Sequence, residues 1–298
     1  MRGYDVVQVT NPVFFDLRPE KNWAIFKYLK KHNKKIFLDA LATDHYYVKA
    51  CLDGKTFRYS DFFVGDRPLP HPEREKMLAA WIGGPNERPN IEMAQEANGI
   101  IACLYEYYAA YQPEYADKLA YIPIPIDLSI NPFHPIKSTP EVVKFFIGIQ
   151  QHRTAIKGTD ILLDVLREIH DKYPRESHIQ KVVSVPFDEY NKLLVDCHIL
   201  LDQLYSYTPA TNALAAMARG IIAVSGAEPE FYNFISEQKL RPIINVLPDR
   251  NDIFKQLENL IIHRDQLPRL STESRQFVEK YHDHVKVARQ YLEFWEKH

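Results

Sequence analysis

The sequence lacks several motifs that define common ligand-binding domains. Only 10 of its 298 residues are glycine. Neither the G-x-G-x-x-G spacing of dinucleotide-binding domains nor the G-x-x-x-x-G-K-[ST] spacing of P-loop proteins occurs. There is also no Asp-x-Asp pair, which counts against a metal-bridged nucleotide site, and no G-x-S-x-G element of a serine hydrolase. If the chain binds a nucleotide, it does so by other means.

Cysteine, long apolar runs and excess charge are scarce as well. Cys51, Cys103 and Cys197 are far apart and form no C-x-x-C pair, which indicates buried thiols in a reducing compartment rather than a disulfide or zinc site. No run reaches the roughly 18 apolar residues of a membrane span, and no signal peptide opens the chain. The formal net charge of −2 gives no reason to expect a nucleic-acid partner. We therefore expect a cytoplasmic protein.

What the sequence does contain is a regular alternation of strand and helix patterns. Buried-strand patterns cover residues 6–10, 34–41, 99–104, 120–127, 142–150, 179–185, 198–201, 221–224 and 243–247, and residues 272–298 form an amphipathic helical end. A Pro-rich linker, residues 130–140, divides them. The alternation predicts an α/β protein with two parallel, doubly wound sheets facing across a cleft, in domains 1–137 and 138–298.

Residues 200–226 hold the loop at which we first expect a ligand. An apolar run is followed by a polar, aromatic turn, a helix of small residues and a second apolar run. Ligands of open α/β sheets bind outside the carboxyl ends of the strands, often against helix N-termini. The turn, with Tyr205, Ser206, Tyr207 and Thr208, would lie at that edge.

Two cations follow the first strand of the second domain. Arg153 and Lys157 precede a predicted helix, and Gly158 lies at the turn where this helix begins. Fixed cations beside free helix N–H groups can receive a diphosphate. The alternative is that both are solvated loop cations, as most are.

Three further groups are weaker candidates. Asp44-His45 follows a strand, where the imidazole can shuttle a proton or can simply be a half-buried partner of a capping Asp. Glu228 and Glu230 follow another strand and can bind sugar hydroxyls, although loop glutamates are common. His282 and His284, two residues apart on a predicted helix, would point to different faces, which disfavours a metal site.

The segments IGIQQHRTAIKGTDILLDVL and LLDQLYSYTPATNALAAMARGIIAVSGAEPEF resemble GT-B glycosyltransferases. They are most similar to the retaining, nucleotide-sugar-dependent type that bacteria use for surface polysaccharides. The resemblance covers residues 138–298 and continues more weakly through RGYDVVQVTNPVF, FLDALATDHYYV and ANGIIAC. It implies a metal-independent hexosyl transfer to an acceptor hydroxyl in envelope or exopolysaccharide synthesis. The partners would be a nucleotide sugar, which is the substrate, and a saccharide or lipid-linked saccharide acceptor. No separate cofactor is implied, and the protein would lie in the cytoplasm or peripherally at the inner face of the membrane.

The resemblance also assigns roles to residues. Arg153 and Lys157 match the Arg and Lys that bind the donor diphosphate, and His45 matches a first-domain His near the reacting sugar. The expected donor-binding residues are Val185, Pro186, Tyr205, Ser206, Tyr207, Thr208, Asn212, Glu228 and Glu230. The loop expected to touch the nucleobase runs from Val185 to Phe187. The family's acidic pair falls on Tyr207 and Ala215, so both carboxylates are missing here.

Two consequences follow from the resemblance. The family's opening strand and glycine turn are not found, so we expect an incomplete first domain. A catalytically inactive relative that binds a nucleotide or sugar is the main alternative. A nucleotide-sugar epimerase and a phosphorylase are further alternatives.

Overall fold

A computed structural model describes residues 1–298, and it divides the chain into two compact units. Unit 1 comprises Met1–Ile124 together with Val285–His298, and unit 2 comprises Pro125–His284. The elements of unit 1 within Met1–Ile124 are β1 (Val6–Val9), α1 (Pro19–His32), β2 (Lys35–Ala40), α2 (His45–Leu52), β3 (Phe63–Val64), β4 (Arg67–Pro68), α3 (Pro72–Trp81), α4 (Glu87–Glu96), β5 (Gly99–Ala102), α5 (Tyr105–Tyr115) and β6 (Leu119–Tyr121).

The first sheet is parallel, with the strand order β1-β2-β5-β6. Its central strands are mostly apolar, and every residue from Ile36 to Ala40 and of β5 is buried, as expected for a parallel sheet covered on both faces. The helices beside it begin and end on local signals. Pro19 opens α1 at its first turn, and Asp44 caps α2 by accepting the Tyr47 N–H at 2.8 Å.

Unit 2 follows with a second series of strands and helices. Its elements are β7 (Val143–Ile149), α6 (Thr154–Lys157), α7 (Thr159–Lys172), β8 (Ser177–Val183), α8 (Phe187–Leu194), β9 (Ile199–Leu201), α9 (Thr211–Ala218), β10 (Ile222–Ser225), α10 (Pro229–Phe234), β11 (Ile244–Asn245), α11 (Arg250–Ile262), a 3-10 turn (Arg264–Gln266) and α12 (Leu267–Tyr281). All nine predicted strands are therefore present, and the hairpin of β3 and β4 is an addition to them.

The second sheet is also parallel, and its strand order is β11-β10-β9-β7-β8. The chain runs from β7 to β8 on one side and then crosses to β9 on the other side of β7. Such a reversal opens a crevice at the carboxyl ends of the strands, where doubly wound sheets bind ligands. Phe146, Leu194, Leu200 and Ala216 share one buried cluster, so α8 and α9 cover the same face of this sheet.

The loop after β9 lies directly against the loop after β10. A methyl group on Gly226 would lie 1.7 Å from the Ser206 carbonyl oxygen, so only glycine allows this approach. The Tyr207 carbonyl accepts the Glu228 N–H at 3.1 Å, which fixes the two loops together. The polar turn of residues 202–209 is consequently an ordered part of unit 2.

The helical end of the chain differs from the single helix predicted over residues 272–298. Two helices are present, α12 and α13 (His284–Lys297), with a break at His282 and Asp283. At the break, the Ile126 N–H donates to the His282 carbonyl at 2.7 Å and Asp283 forms a bridge with Ile126. This local strand pairing takes backbone groups away from the helix.

Helix α13 belongs to unit 1, although residues 138–298 were predicted to form one domain. Val287 packs with Ile101 and Ile122 in a buried cluster, and the Lys35 ammonium donates to the Trp295 carbonyl at 2.6 Å. The chain thus passes from unit 1 to unit 2 after Ile124 and back after His284, whereas the predicted domains meet at residue 137. None of the thirteen α-helices combines the length and the apolar composition that crossing a membrane requires.

Candidate functional site

A cavity of about 250 Å³ lies in unit 2, at the carboxyl ends of β7 and β8. Its walls come from the end of β7, the turn after β8 and the helices α6, α8 and α9. The lining residues are Gly148, Ile149, Gln150, Lys157, Val182, Ser184, Val185, Phe187, Tyr190 and Asn212. Three of the predicted site residues, Lys157, Val185 and Asn212, are therefore brought together here.

Gly148 and Tyr190 form one wall of this cavity. A methyl group on Gly148 would lie 2.6 Å from Tyr190 Cε2, so the absence of a side chain allows the ring to lie against β7. The ring also meets Phe146 edge-on, with 4.9 Å between the centroids. Burial raises the pKa of the Tyr190 hydroxyl to about 12, so it stays protonated and can donate a hydrogen bond.

The cationic side of the cavity is formed by the segment between β7 and α7. Lys157 is half-buried and lines the cavity, whereas Arg153 is exposed and does not. Gly158 connects α6 to α7 in a left-handed conformation with φ of 66°, and a side chain there would meet Leu204 Cβ at 2.7 Å. Because the Lys157 carbonyl also accepts the Leu204 N–H at 2.9 Å, the backbone that carries Lys157 is held against the loop after β9.

The turn after β8 supplies an apolar, aromatic side. Ser184 adopts a positive φ of 46°, and its N–H donates to the Ile149 carbonyl at 3.0 Å, so the beginning of the turn stays paired with the end of β7. Phe187, the first residue of α8, is 76% exposed although it lines the cavity. An exposed ring beside a cavity offers a face for a planar group. Pro186 caps α8 and lies next to this wall without lining it.

Asn212 lines the cavity from the first turn of α9. Its side-chain Nδ2 donates to Asp202 Oδ1 at 2.9 Å. Asp202 follows β9, is 3% exposed, and its Oδ2 has no hydrogen-bond partner. The cavity therefore combines a cation, an aromatic face and an oriented amide.

The remaining predicted residues of unit 2 do not line this cavity. Tyr205, Ser206, Tyr207 and Thr208 are at most 8% exposed, because their turn is buried between neighbouring loops. Glu228 is 1% exposed and accepts from Asn245 Nδ2 at 2.9 Å, and Glu230 lies in the first turn of α10. Donor-binding roles for these residues stay predictions.

His45 lies in unit 1 at the beginning of α2 and is 6% exposed. Its Nδ1 lies 2.9 Å from the Trp81 carbonyl oxygen. Since a carbonyl can only accept, Nδ1 carries the proton, and Nε2 is the nitrogen that can accept one. Glu87 Oε1 also lies 3.8 Å from Nδ1.

The Asp44 side chain beside His45 is fully engaged in the core. It accepts from the Tyr47 N–H at 2.8 Å and the Tyr111 hydroxyl at 2.7 Å. Burial raises the pKa of Asp44 to about 6, and these two donors act in the opposite direction. Asp44 thus acts as the capping residue that the sequence offered as one alternative, and this cap fixes where His45 begins α2.

Gly148, Ser184 and Tyr190 were not among the predicted site residues. A glycine near the end of an apolar strand is the signal that points to Gly148. Nothing local distinguishes Tyr190 from a core tyrosine of an amphipathic helix. Only the sheet order, which puts α8 above β7, brings its ring to the cavity.

Comparison with solved structures bears on the fold. Over 99% of its length, the chain matches 73% of sucrose-phosphate synthase from Thermosynechococcus elongatus, with a TM-score of 0.63 and 12% identity. It also matches Anabaena HepE, solved with UDP and glucose, over 99% of this chain and 78% of that one, with a TM-score of 0.61 and 12% identity. The chain has the GT-B fold.

A third match covers a smaller share of the neighbour's own chain. A variant of S. aureus TarM, solved with fondaparinux, alpha-GlcNAc-glycerol and UDP, is matched over 89% of this chain and 51% of that chain, with a TM-score of 0.60 and 13% identity. The chain thus spans about half of TarM. No family model matches the sequence, and no curated protein is found as a relative.

Proposed function

We propose that this protein is a glycosyltransferase that moves a sugar from a nucleoside diphosphate sugar to an acceptor hydroxyl. The observation that carries the proposal is the cavity at the ends of β7 and β8, which places Lys157, Phe187 and Asn212 around one space. A cation, an aromatic face and an amide are the groups that a phosphate, a base and a ribose require. Neighbours with the same fold are glycosyltransferases, and two were solved with UDP.

The chemical task of such a site is to stabilise the departing diphosphate. Negative charge grows on this group as the glycosidic bond breaks, and Lys157 together with Arg153 would neutralise it without a metal ion. The N–H groups at the beginning of α7 add positive potential close to Lys157. By the resemblance, His45 would act near the reacting sugar, and Nε2 would be the ring nitrogen that accepts a proton.

The acceptor and the cellular role form the finer part of the proposal. The acceptor would be a saccharide or a lipid-linked saccharide of envelope or exopolysaccharide synthesis, and the protein would work in the cytoplasm, peripherally at the membrane. This part rests on the sequence resemblance rather than on the cavity. Incubation with UDP-glucose and candidate saccharide acceptors, followed by mass spectrometry of the products, would test it.

One observation favours a second candidate, an inactive protein that binds a nucleotide or sugar. Tyr207 and Ala215 occupy the positions at which the family that the sequence resembles has its acidic pair. Tyr207 is 2% exposed. Hydrolysis or transfer of a bound sugar nucleotide distinguishes the candidates. Tight binding of UDP-sugars with no turnover, with any acceptor offered, would favour the second.

The diphosphate assignment is tested by calorimetry with UDP, GDP and their sugars. We expect Lys157→Ala to weaken binding by about 10- to 100-fold, because it removes a charged hydrogen bond to phosphate. Arg153→Ala should have a smaller effect, since Arg153 is exposed and outside the cavity wall. Lys255→Ala and Arg175→Ala are matched controls on exposed parts of unit 2 and should bind like the wild type. Unchanged affinity in Lys157→Ala would refute the assignment.

A further inference from the structure

The β1–α1 loop, residues 10–18, presents several apolar side chains to solvent. Val13, Phe15 and Leu17 are 36%, 40% and 48% exposed. Single exposed apolar residues are ordinary on a protein surface, whereas several on one short loop mark a place that binds an apolar partner. The nucleotide cavity does not account for them, because every residue that lines it belongs to unit 2.

Asn22 holds this loop in place from inside unit 1. The Asn22 side chain is fully buried, and its Nδ2 donates to the carbonyl oxygens of Phe15 and Leu17, each at 3.1 Å. Its Oδ1 accepts the Phe15 N–H at 3.0 Å. Closer to β1, Asn11 Oδ1 accepts the Val13 N–H at 2.9 Å. The loop is thus ordered with its apolar side chains outward, and a rearrangement that buried them would leave the Asn22 amide unpaired.

The segment that carries the loop is basic. Residues 1–35 contain eight Lys and Arg but only three acidic residues, Asp5, Asp16 and Glu20. The whole chain, in contrast, has 37 Lys and Arg and 39 Asp and Glu. Such a charge asymmetry indicates an anionic partner at this part of unit 1.

Four cations of this segment are exposed and outside any ion pair, namely Arg18 before α1 and Lys21, Lys27 and Lys31 on it. Two other lysines of the segment do form ion pairs, with Glu96 and Asp5. Because α1 has 14 residues, the exposed cations extend over about 20 Å beyond the apolar loop.

An apolar loop beside a row of cations matches the two layers of an anionic membrane surface. Phosphate groups lie there above hydrocarbon, and peripheral proteins insert apolar side chains while basic residues contact the headgroups. A soluble polyanion would leave Phe15 and Leu17 uncovered, and an uncharged apolar partner would leave the cations unused. We propose that the β1–α1 loop and the exposed side of α1 bind a bilayer that contains anionic phospholipids, a proposal that rests on the peripheral location in the proposed function and names its surface.

The test is co-sedimentation of the full chain with vesicles of phosphatidylcholine and phosphatidylglycerol in equal parts. We expect the protein to bind these vesicles at low salt and to be released at high salt, because salt screens the cations. Vesicles of pure phosphatidylcholine should bind it about 10-fold more weakly or less, since each cation near an anionic surface contributes about fivefold.

Two double variants separate the apolar and the basic contributions. Phe15→Ser with Leu17→Ser should weaken vesicle binding about 10- to 100-fold, because two apolar side chains no longer enter the hydrocarbon. Lys27→Gln with Lys31→Gln should weaken it about 10-fold and reduce its salt dependence. Matched controls change exposed side chains of unit 2 and should bind like the wild type: Val195→Ser with Ile262→Ser, and Lys181→Gln with Lys255→Gln.

Three results would overturn the membrane surface. The wild type stays in the supernatant with the anionic vesicles, or the Phe15→Ser, Leu17→Ser variant binds them like the wild type. The third is a wild-type dimer that this variant converts to a monomer in size-exclusion chromatography, with no vesicle binding, which would assign the loop to contact between two copies of the chain.

Calorimetry with UDP in the absence of vesicles distinguishes the membrane surface from the nucleotide site. All variants should bind UDP like the wild type, since none changes a residue that lines the cavity. If UDP binds and the vesicles do not, the membrane surface is wrong and the nucleotide site stands. If the vesicles bind and no nucleotide does, the proposed function fails and the membrane surface stands.

Discussion

Replacing Asp39 by asparagine should stabilise unit 1 at neutral and alkaline pH. Asp39 lies in β2, is 1% exposed, and accepts one hydrogen bond, from Gln8 Nε2 at 2.6 Å. Its Oδ1 has no partner. Burial raises the pKa of Asp39 from 3.8 to about 7, and the Gln8 hydrogen bond only partly opposes this. In Asp39→Asn, the amide oxygen can still accept from Gln8 while no charge can form.

The magnitude follows from the difference between the folded and unfolded pKa values. As pH rises through about 4, the unfolded chain loses the Asp39 proton while the folded chain keeps it up to about pH 7, so wild-type stability falls across this window. A shift of about three pKa units corresponds to about 4 kcal/mol, which is an upper value. Above pH 7 the difference between the two proteins should stay constant.

The assay is urea unfolding followed by tryptophan fluorescence between pH 4.5 and 8.5. All three tryptophans, Trp23, Trp81 and Trp295, lie in unit 1, so the signal reports on this unit alone. The difference in the free energy of unfolding between wild type and variant removes the contributions of all other titrating groups, because both proteins share them. Asp117→Asn is the control, because Asp117 is exposed in the same unit. A difference that does not change between pH 5 and pH 8, within about 0.5 kcal/mol, would refute the reasoning.

Two further predictions concern unit 2. Gly148→Ala should weaken UDP binding about 10-fold, because the methyl group displaces the Tyr190 ring into the cavity. Adding Tyr190→Ala to this variant should restore part of the affinity. An unchanged affinity of Gly148→Ala in calorimetry would contradict this. The Glu237 carboxylate accepts from Lys280 at 2.5 Å and from the Tyr281 hydroxyl at 2.6 Å. The backbone N–H of Leu240, together with these two donors, holds the pKa of Glu237 well below its ordinary range. Its stabilisation is therefore present above about pH 4.5 and is lost as pH falls, and Glu237→Gln should cost about 1–3 kcal/mol at pH 7. Chemical unfolding at pH 7 and pH 3.5 checks this, and a variant that loses as much stability in acid as the wild type would contradict it.

The strands and helices of this protein follow largely from local patterns. The short apolar run of β7 is buried as a strand, and the three-four spacing of apolar residues in α7 is buried as a helix. The alternation of such patterns predicts two parallel sheets. The loop after β7 was predicted as a ligand site for the same reason, since polar residues at a strand's carboxyl end meet at one edge. Lys157 was found in this way.

The rest of the candidate site depends on contacts between distant residues. Tyr190 reaches the cavity because Gly148, 42 positions earlier in the sequence, leaves room for its ring. Buried turns such as residues 205–208 resemble exposed polar loops in sequence. The close approach of Gly226 to Ser206, which joins two loops distant in sequence, holds this turn inside the unit.

The sequence by itself determined the two parallel sheets and the loop that carries Lys157, because each depends on neighbours within a few residues. Only the tertiary structure decided that α13 returns to unit 1. There Trp295 Nε1 donates to Gln8 at 3.0 Å and Gln8 in turn donates to Asp39, across 287 positions of sequence. It also decided that Asp202 orients Asn212. Periodicity and propensity describe how a segment buries its own face, whereas the partner on that face is chosen by the topology of the whole sheet.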